Sequence, residues 1–235
     1  MAEDEGVPVA GFVTKSELAY ARVRGLILSG ELGPGTVLPQ AVLARTIGMS
    51  TTPLREALRR LKQDGLVDLD AHRDARVRPL AAGEARDLLE LRRSLDPLAA
   101  SLAADRRSAT DLAAMSDALD GLEALADDPT PAQLETHRRF HSAIHRASHN
   151  ALLVDVLDGL WVKTDRYRRH ALEGGRTDAE RSARAEEHRL LFVAVQRRDA
   201  TAAADLMRGH VENSLGARAV DRLLPGAAGR REEDR

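Results

Sequence analysis

The stretch "LARTIGMSTTPLREALRRLKQDGLV", Leu43 to Val67, sets two helical patterns around a tight "GMS" turn. Gly48 stands where a left-handed cap ends the first pattern. Ser50 or Thr52 caps the second, and Pro53 falls in its first turn, where a missing N–H costs little. Leu54, Ala57, Leu58 and Leu61 form one apolar side of that second helix, and Thr51, Thr52, Arg55 and Arg59 lie on its early, outward part. A helix, a turn and an arginine-rich helix can lay the last of these in the DNA major groove. Arg55 can meet a guanine edge bidentately or clasp a phosphate. A basic helix of an unrelated small domain fits the same spacing, so the flanks decide.

Upstream, "TKSE" reads as a capping box, Thr14 with Glu17, opening a helix with an apolar stripe of Leu18, Val23, Leu26 and Ile27. Gly30, Gly33, Pro34 and Gly35 stop it, and a short helix follows over about 39–47. Downstream, Leu66–Leu69 and Arg76–Arg78 are short and β-like with a polar turn between them, which predicts a two-stranded hairpin. Three helices and a hairpin describe a winged helix-turn-helix over residues 14–80. Residues 1–13 are expected to be disordered.

Charge follows the same division. From Val13 to Leu80 there are eleven Lys and Arg against seven Asp and Glu; from Ala81 onward there are 24 against 27. The N-terminal third is the net-basic part, a mild pointer to a polyanion. The whole chain of 235 residues carries a formal charge of −2 and has no cysteine, which excludes disulfides and thiolate metal sites. No apolar run reaches the roughly 18 residues of a membrane span. The opening "MAEDEGVPVAG" lacks the apolar core of a signal peptide, so a cytoplasmic protein is expected.

Beyond Ala81 no strand is expected. Helical patterns run over about 82–106, 109–126, 131–148, 150–173, 178–198 and 199–217, with Pro97 inside the first and Asn150 capping the fourth. Six helices joined by short connections predict an antiparallel bundle over 81–217, followed by a polar tail over 218–235. The fold class is therefore mostly α: a winged helix-turn-helix, then an all-helical bundle.

Four of the eight histidines fall on inward faces of that bundle. His137 and His141 are spaced i, i+4 and flank the stripe of Phe140 and Ile144. His188 shares a face with Leu191 and Val195, and His210 with Leu206 and Ser214. Two imidazoles at i, i+4 can bind one metal ion; buried, hydrogen-bonded histidines would give the same pattern. His145 and His149 continue the series, but each step drifts about 40° around a 3.6-residue helix. They are expected to turn toward the surface.

Two resemblances sharpen the reading. "LILSGELGPGTVL" and the opening stretch closely resemble the GntR family of bacterial transcription regulators, through Ile27, Gly30, Leu32, Pro34, Gly35, Leu38, Leu43, Ala44, Gly48, Ser50, Pro53, Arg55, Glu56, Ala57, Leu61 and Gly65 to Val67. This implies a DNA-binding winged helix with its wing in or near the minor groove. The implied DNA-facing set is Gln40, Arg45, Ser50, Thr51, Thr52, Arg55, Arg59 and Arg73. The chain departs from the family pattern at Thr51, where Arg is frequent, at Gln40-Ala41, where Glu-Arg is frequent, and at Arg73-Asp74, where the wing usually reads Arg-Gly. These departures bear on the operator sequence, not on the binding mode.

The second resemblance, carried by "LRRSLDPLAASLAA", "FHSAIHRASHN" and "EEHRLLFVAVQRRDATAAADLMRGHV", is to the FCD ligand-sensing domain of the FadR subfamily, here with six expected helices rather than seven. Many such domains hold a divalent metal with Asp-x-x-x-His on one helix and one His from each of the last two. His141, His188 and His210 match the histidines, and His137 stands where Asp is usual. The implied metal set is all imidazole, which suits Zn²⁺ first, then Ni²⁺ or another transition metal. Arg92 matches a family Arg that reaches into the sensing cavity. It is expected either to bind a carboxylate effector or to pair with a nearby acidic residue. Trp161 and Tyr167 line the cavity or belong to the core.

The resulting expectation is a cytoplasmic homodimeric regulator, a repressor that grips a near-palindromic operator and leaves it when a small carboxylate binds. Two alternatives stand beside it. One is a metal-dependent enzyme with a regulatory DNA-binding head, although no general base is evident. The other is a dimeric DNA-binding protein without a ligand.

Overall fold

The computed structural model describes residues 14–69, 74–122, 131–172 and 177–224. The expected disordered N-terminus, the wing tip with Arg73, the break near Pro129 and the end of the tail lie outside these residues. Among the described residues there are ten helices and three strands.

The first unit begins with α1 (Lys15–Leu28), whose capping box is closed by Thr14 and Glu17. Its buried side is Ala19, Val23, Ile27 and Leu28. Leu18, expected on that stripe, is 42% exposed because the stripe lies one residue further round. Then come β1 (Val37–Pro39), α2 (Gln40–Thr46), α3 (Thr51–Gln63), β2 (Val67–Leu69) and β3 (Asp74–Val77). The apolar side expected for α3 is the buried one: Leu54, Ala57, Leu58 and Leu61 are all at most 1% exposed. They close a head core with Val23, Leu43, Leu66 and Val77.

The wing is a three-stranded antiparallel sheet in the order β1-β3-β2, where a two-stranded hairpin was expected. Leu38 pairs with Ala75, and Val67 with Val77. The extra strand escapes a periodicity argument because it is three residues long and ends in Pro39. It is held by where Leu38 goes, into the head core at 3% exposure. Gly35, at φ +81°, makes the turn that brings β1 onto β3, and its N–H bonds the Val77 carbonyl at 2.9 Å.

The second unit is a bundle of α4 (Ala82–Arg106), α5 (Ala109–Asp120), α6 (Pro131–Ala147), α7 (Ala151–Leu172), α8 (Asp178–Gln196), α9 (Ala200–Glu212) and α10 (Leu215–Leu223). Helix α4 continues through Pro97 and packs against α9, α6, α10 and α7 around a second apolar core. Capping boxes open α5 (Ser108 with Asp111) and α8 (Thr177 with Glu180).

Among the described residues the bundle has seven helices, where six were expected. The expected helix over 199–217 stops at Asn213, and Ser214 starts a new one by accepting from the Ala217 N–H at 3.4 Å. Residues 218–223, expected in a polar tail, are therefore helical. Their buried residues Ala219 and Val220 dock α10 against α4 and α7.

Head and bundle meet along α7. Arg24 of α1 pairs with Asp165 at 3.1 Å. Arg166 pairs with Glu84 at 2.7 Å and donates to the Arg78 carbonyl at 3.1 Å. Val162 packs on the head core.

Candidate functional site

Four histidines from three helices converge in the bundle. Helix α6 presents His137 and His141 one turn apart, α8 brings His188, and α9 brings His210. One nitrogen from each lies within 4.8 Å of the others. Ring centroids are 4.8 Å apart for His137–His141, 5.0 Å for His141–His210 and 4.7 Å for His188–His210. His141, His188 and His210 are buried, and His137 is half-buried.

Their ring nitrogens are short of partners. His137 Nδ1, both nitrogens of His141, and His188 Nε2 are buried without a hydrogen bond among the described residues. Such atoms normally find a partner. His210 is oriented by Glu187, whose Oε2 lies 2.8 Å from Nδ1, so Nε2 is left for the centre. Burial lowers the pKa of all four; neighbouring histidines add to this for His137, His141 and His188, after Arg168 in the case of His137, and His188 falls to about 2. For His210 burial outweighs the opposing pull of Glu187. The rings are therefore neutral at pH 7, the form that ligates a cation. Four such rings could hold a metal ion.

The cavity beside them has a volume of about 360 Å³ and is lined by Arg92, Trp161, Arg168, Arg184 and Arg218 among others. Arg92 is 5% exposed and largely committed elsewhere. Its Nε and Nη2 bond both oxygens of Asp96, at 3.0 and 3.2 Å, and its Cζ lies 4.5 Å from the Trp161 ring centroid. Of the two roles expected for Arg92, the ion pair is the one present. Its Nη1 has no partner among the described residues.

His145 overturns an expectation. It is fully buried, with Nε2 3.2 Å from Asp96 Oδ1. The drift around α6 was read correctly, but what lies that way is α4, not water, because α4, α5 and α7 surround α6. His149 is exposed as expected, and pairs with Asp111 at 2.8 Å.

Sequence reasoning missed Arg168. It stands in a run of basic residues that reads as a solvated face, yet it is 2% exposed, with its guanidinium 5.3 Å from the Trp161 ring centroid. The available signal was its spacing, two helical turns after Trp161 on one face of α7. Trp161 is buried beside the histidines, 5.1 Å from the His141 ring. Tyr167 belongs to the core, its hydroxyl held by Glu84.

In the head, Arg45, Ser50, Thr51, Thr52, Arg55 and Arg59 are exposed, and Gln40 is half-buried. Arg55 Nε donates to Gln40 Oε1 at 3.2 Å, joining the starts of α2 and α3. Ser50 occupies the N-cap position of α3, but its hydroxyl makes no capping bond. The first N–H groups of α3 thus donate no bond to the Ser50 hydroxyl.

A winged helix joined to a helical bundle with a histidine-lined cavity defines a class: DNA-binding regulators with a separate sensing domain. The comparisons agree. Residues 15–77 match the model "Bacterial regulatory proteins, gntR family", and residues 87–213 match the FCD domain. The regulator LutR of Bacillus subtilis is 30% identical over 208 residues, 80% of this chain and 94% of its own. The repressor GlaR of Escherichia coli is 28% identical over 82% of this chain and 90% of its own. The match to YdhC of B. subtilis is shorter, 27% identical over 59% of this chain and 63% of that one. Among solved structures, McbR of E. coli has a TM-score of 0.73 at 23% identity, covering 90% of this chain and 98% of that one, a likeness of fold. The chain belongs to the gntR family of bacterial regulatory proteins, in the group that carries an FCD domain. It is a DNA-binding transcription regulator. No helix among the described residues is long and apolar enough to cross a membrane.

Proposed function

We propose that this chain is a cytoplasmic, homodimeric repressor. Its bundle holds a divalent ion on His137, His141, His188 and His210, and it leaves a near-palindromic operator when a small carboxylate enters the cavity. The observation that carries this reading is the set of buried ring nitrogens without partners, facing one another beside a cavity lined with arginines. Neutral imidazoles favour Zn²⁺, with Ni²⁺ as the runner-up. They leave the charge of the ion uncompensated, and together with Arg92 they favour an anion. Arg92 keeps Nη1 for that ligand.

On DNA, Thr51, Thr52, Arg55 and Arg59 face the major groove. Gln40, Arg45 and Ser50 flank it, and Arg73, outside the described residues, joins this set on the family resemblance alone. Dimerisation is supported by exposed apolar side chains, Leu91 and Leu98 two turns apart on α4, and Leu152 and Val156 on α7.

Elemental analysis before and after chelation tests the metal: one ion per chain is expected, lost in His188→Ala and kept in His149→Ala. Equal loss from both variants, or no uptake of Zn²⁺ or Ni²⁺ under loading, would remove the site. Fluorescence titration with the chain's own promoter DNA at fixed salt tests the head. Arg55→Ala is expected to weaken binding by about 1–3 kcal/mol with the circular dichroism unchanged; unaltered affinity takes Arg55 out of the interface.

A further inference from the structure

Arg168 has an unfilled valence. Its Nη1 donates to Asp165 Oδ1 at 3.2 Å, while Nη2 is buried with no partner among the described residues, and the residue lines the cavity. Trp161 Nε1, in the same wall, is a second buried donor without a partner. Neither finds a protein acceptor, and a buried donor left unmade is costly. Two unpartnered donors in one cavity wall, one of them cationic and with its guanidinium carbon 5.3 Å from the indole centroid, suit the oxygens of a carboxylate. Arg92 cannot offer the same fork, since two of its three nitrogens are held by Asp96.

The other end of this arginine leads to the DNA-binding head. Asp165 is 4% exposed and receives three guanidiniums: Arg168 on Oδ1, and Arg24 and Arg138 on Oδ2 at 3.1 and 3.6 Å. Arg24 belongs to α1, and α1 packs on α3. The Tyr20 hydroxyl, one turn before Arg24, bonds Asp64 at the end of α3 at 2.6 Å, and Arg60 of α3 stacks on the Tyr20 ring at 4.2 Å. One carboxylate is thus shared between a cavity arginine and an arginine of the head.

We propose that Arg168 is the anion anchor of the histidine cavity, and that Asp165 transmits its occupancy to the head through Arg24. This rests on the effector reading above. An anion on Nη2 competes with Asp165 for the Arg168 charge. Asp165 then turns more of its own charge to Arg24, which changes how firmly α1 is held against α7. By linkage, whatever the anion does to operator affinity, the operator does to anion affinity. Coupling of this kind spans roughly 5- to 150-fold in affinity.

The test uses the full chain, lactate, succinate, citrate and inorganic phosphate as probes, and promoter DNA. Thermal shift and calorimetric titration find the probe that binds the wild type, and fluorescence anisotropy gives operator affinity with and without it. Arg168→Lys keeps a charge for Asp165 but loses the fork, and is expected to weaken the probe at least tenfold. Arg24→Met is expected to keep the probe affinity but to reduce the effect of the probe on operator affinity to less than twofold. Arg24→Gln repeats the measurement if Arg24→Met melts early. A wild-type probe affinity in Arg168→Lys overturns the anchor. A full DNA response in Arg24→Met or Arg24→Gln overturns the relay. Absence of any anion binding to the wild type overturns the effector reading itself, and this inference with it.

Discussion

Asp96 lies at the centre of the bundle's buried charge. Burial alone would raise its pKa, but the Arg92 guanidinium and His145 outweigh that and hold the carboxyl far below its usual range. Removing one member of a buried pair leaves the other charge uncompensated, at a cost of about 3–5 kcal/mol. Asp96→Asn should therefore lower the urea midpoint by that equivalent, while His149→Ala, at an exposed pair, should change it little. A loss below about 1 kcal/mol in Asp96→Asn would mean that Arg92 and His145 have other anchors. The sign with pH follows from the depressed folded value. The contribution of Asp96 is complete above the ordinary carboxylate range and is lost as pH falls through the folded value beneath it. At this scale the sequence was legible wherever a spacing defined a face. The partner of Arg92 was one of two stated options, and the four cavity histidines were identified from their apolar neighbours. His145 was misplaced and Arg168 was passed over for one reason: helical spacing gives direction around an axis, but not what stands in that direction.

Short elements were the least legible. β1 and α10 are three and nine residues long, and neither is long enough to show a period. What defines them is tertiary: Leu38 fills the head core, and Ala219 and Val220 fill a gap against α4 and α7. The long helices, by contrast, were readable to within a few residues, because caps and apolar stripes agree there. Helix α10 matters beyond packing, since Gly216, Ala217, Arg218 and Asp221 line the histidine cavity. Val220→Ala should cost about 1–3 kcal/mol by loss of buried methyl groups. It should also weaken metal retention, because the wall that carries those residues loosens. Chemical denaturation and a competition with a chelator check both. Unchanged values in the two measurements would show that α10 is an appendage rather than a wall.

For the molecule as a whole, the histidine cluster makes stability depend on pH in one direction. The folded state keeps four imidazoles neutral, and the unfolded chain protonates them below about pH 6.5. Metal-free protein should therefore lose stability as pH falls from about 6.5 toward the depressed folded values, at a slope of up to about 5 kcal/mol per pH unit. Bound Zn²⁺ should move the loss to lower pH, since a coordinated nitrogen cannot take the proton. Urea titrations at several pH values, with and without chelator, measure this. A metal-free protein as stable at pH 5 as at pH 7.5 would contradict burial of neutral rings. The division into a DNA-binding head and a sensing bundle was the most legible feature of all, because the hydrophobic period, the charge balance and the glycine punctuation change together near Leu80.

That division also has a consequence in time. The head closes a core of its own from residues that all lie before Arg78, apart from a contact with Val162. During synthesis it can fold while the cavity is still being made, since the last ring arrives with His210 and the last wall with α10. At roughly 5–20 residues per second, translation needs about 7–30 s to reach the end of α10 after the head is finished. Throughout that interval a nascent chain carries a reading head with no means of hearing the effector. In the dimer proposed above, a lone head on a ribosome presents one half-site reader where the operator grip takes two. On that reading, pairing of the bundles delays tight DNA binding until the sensor exists.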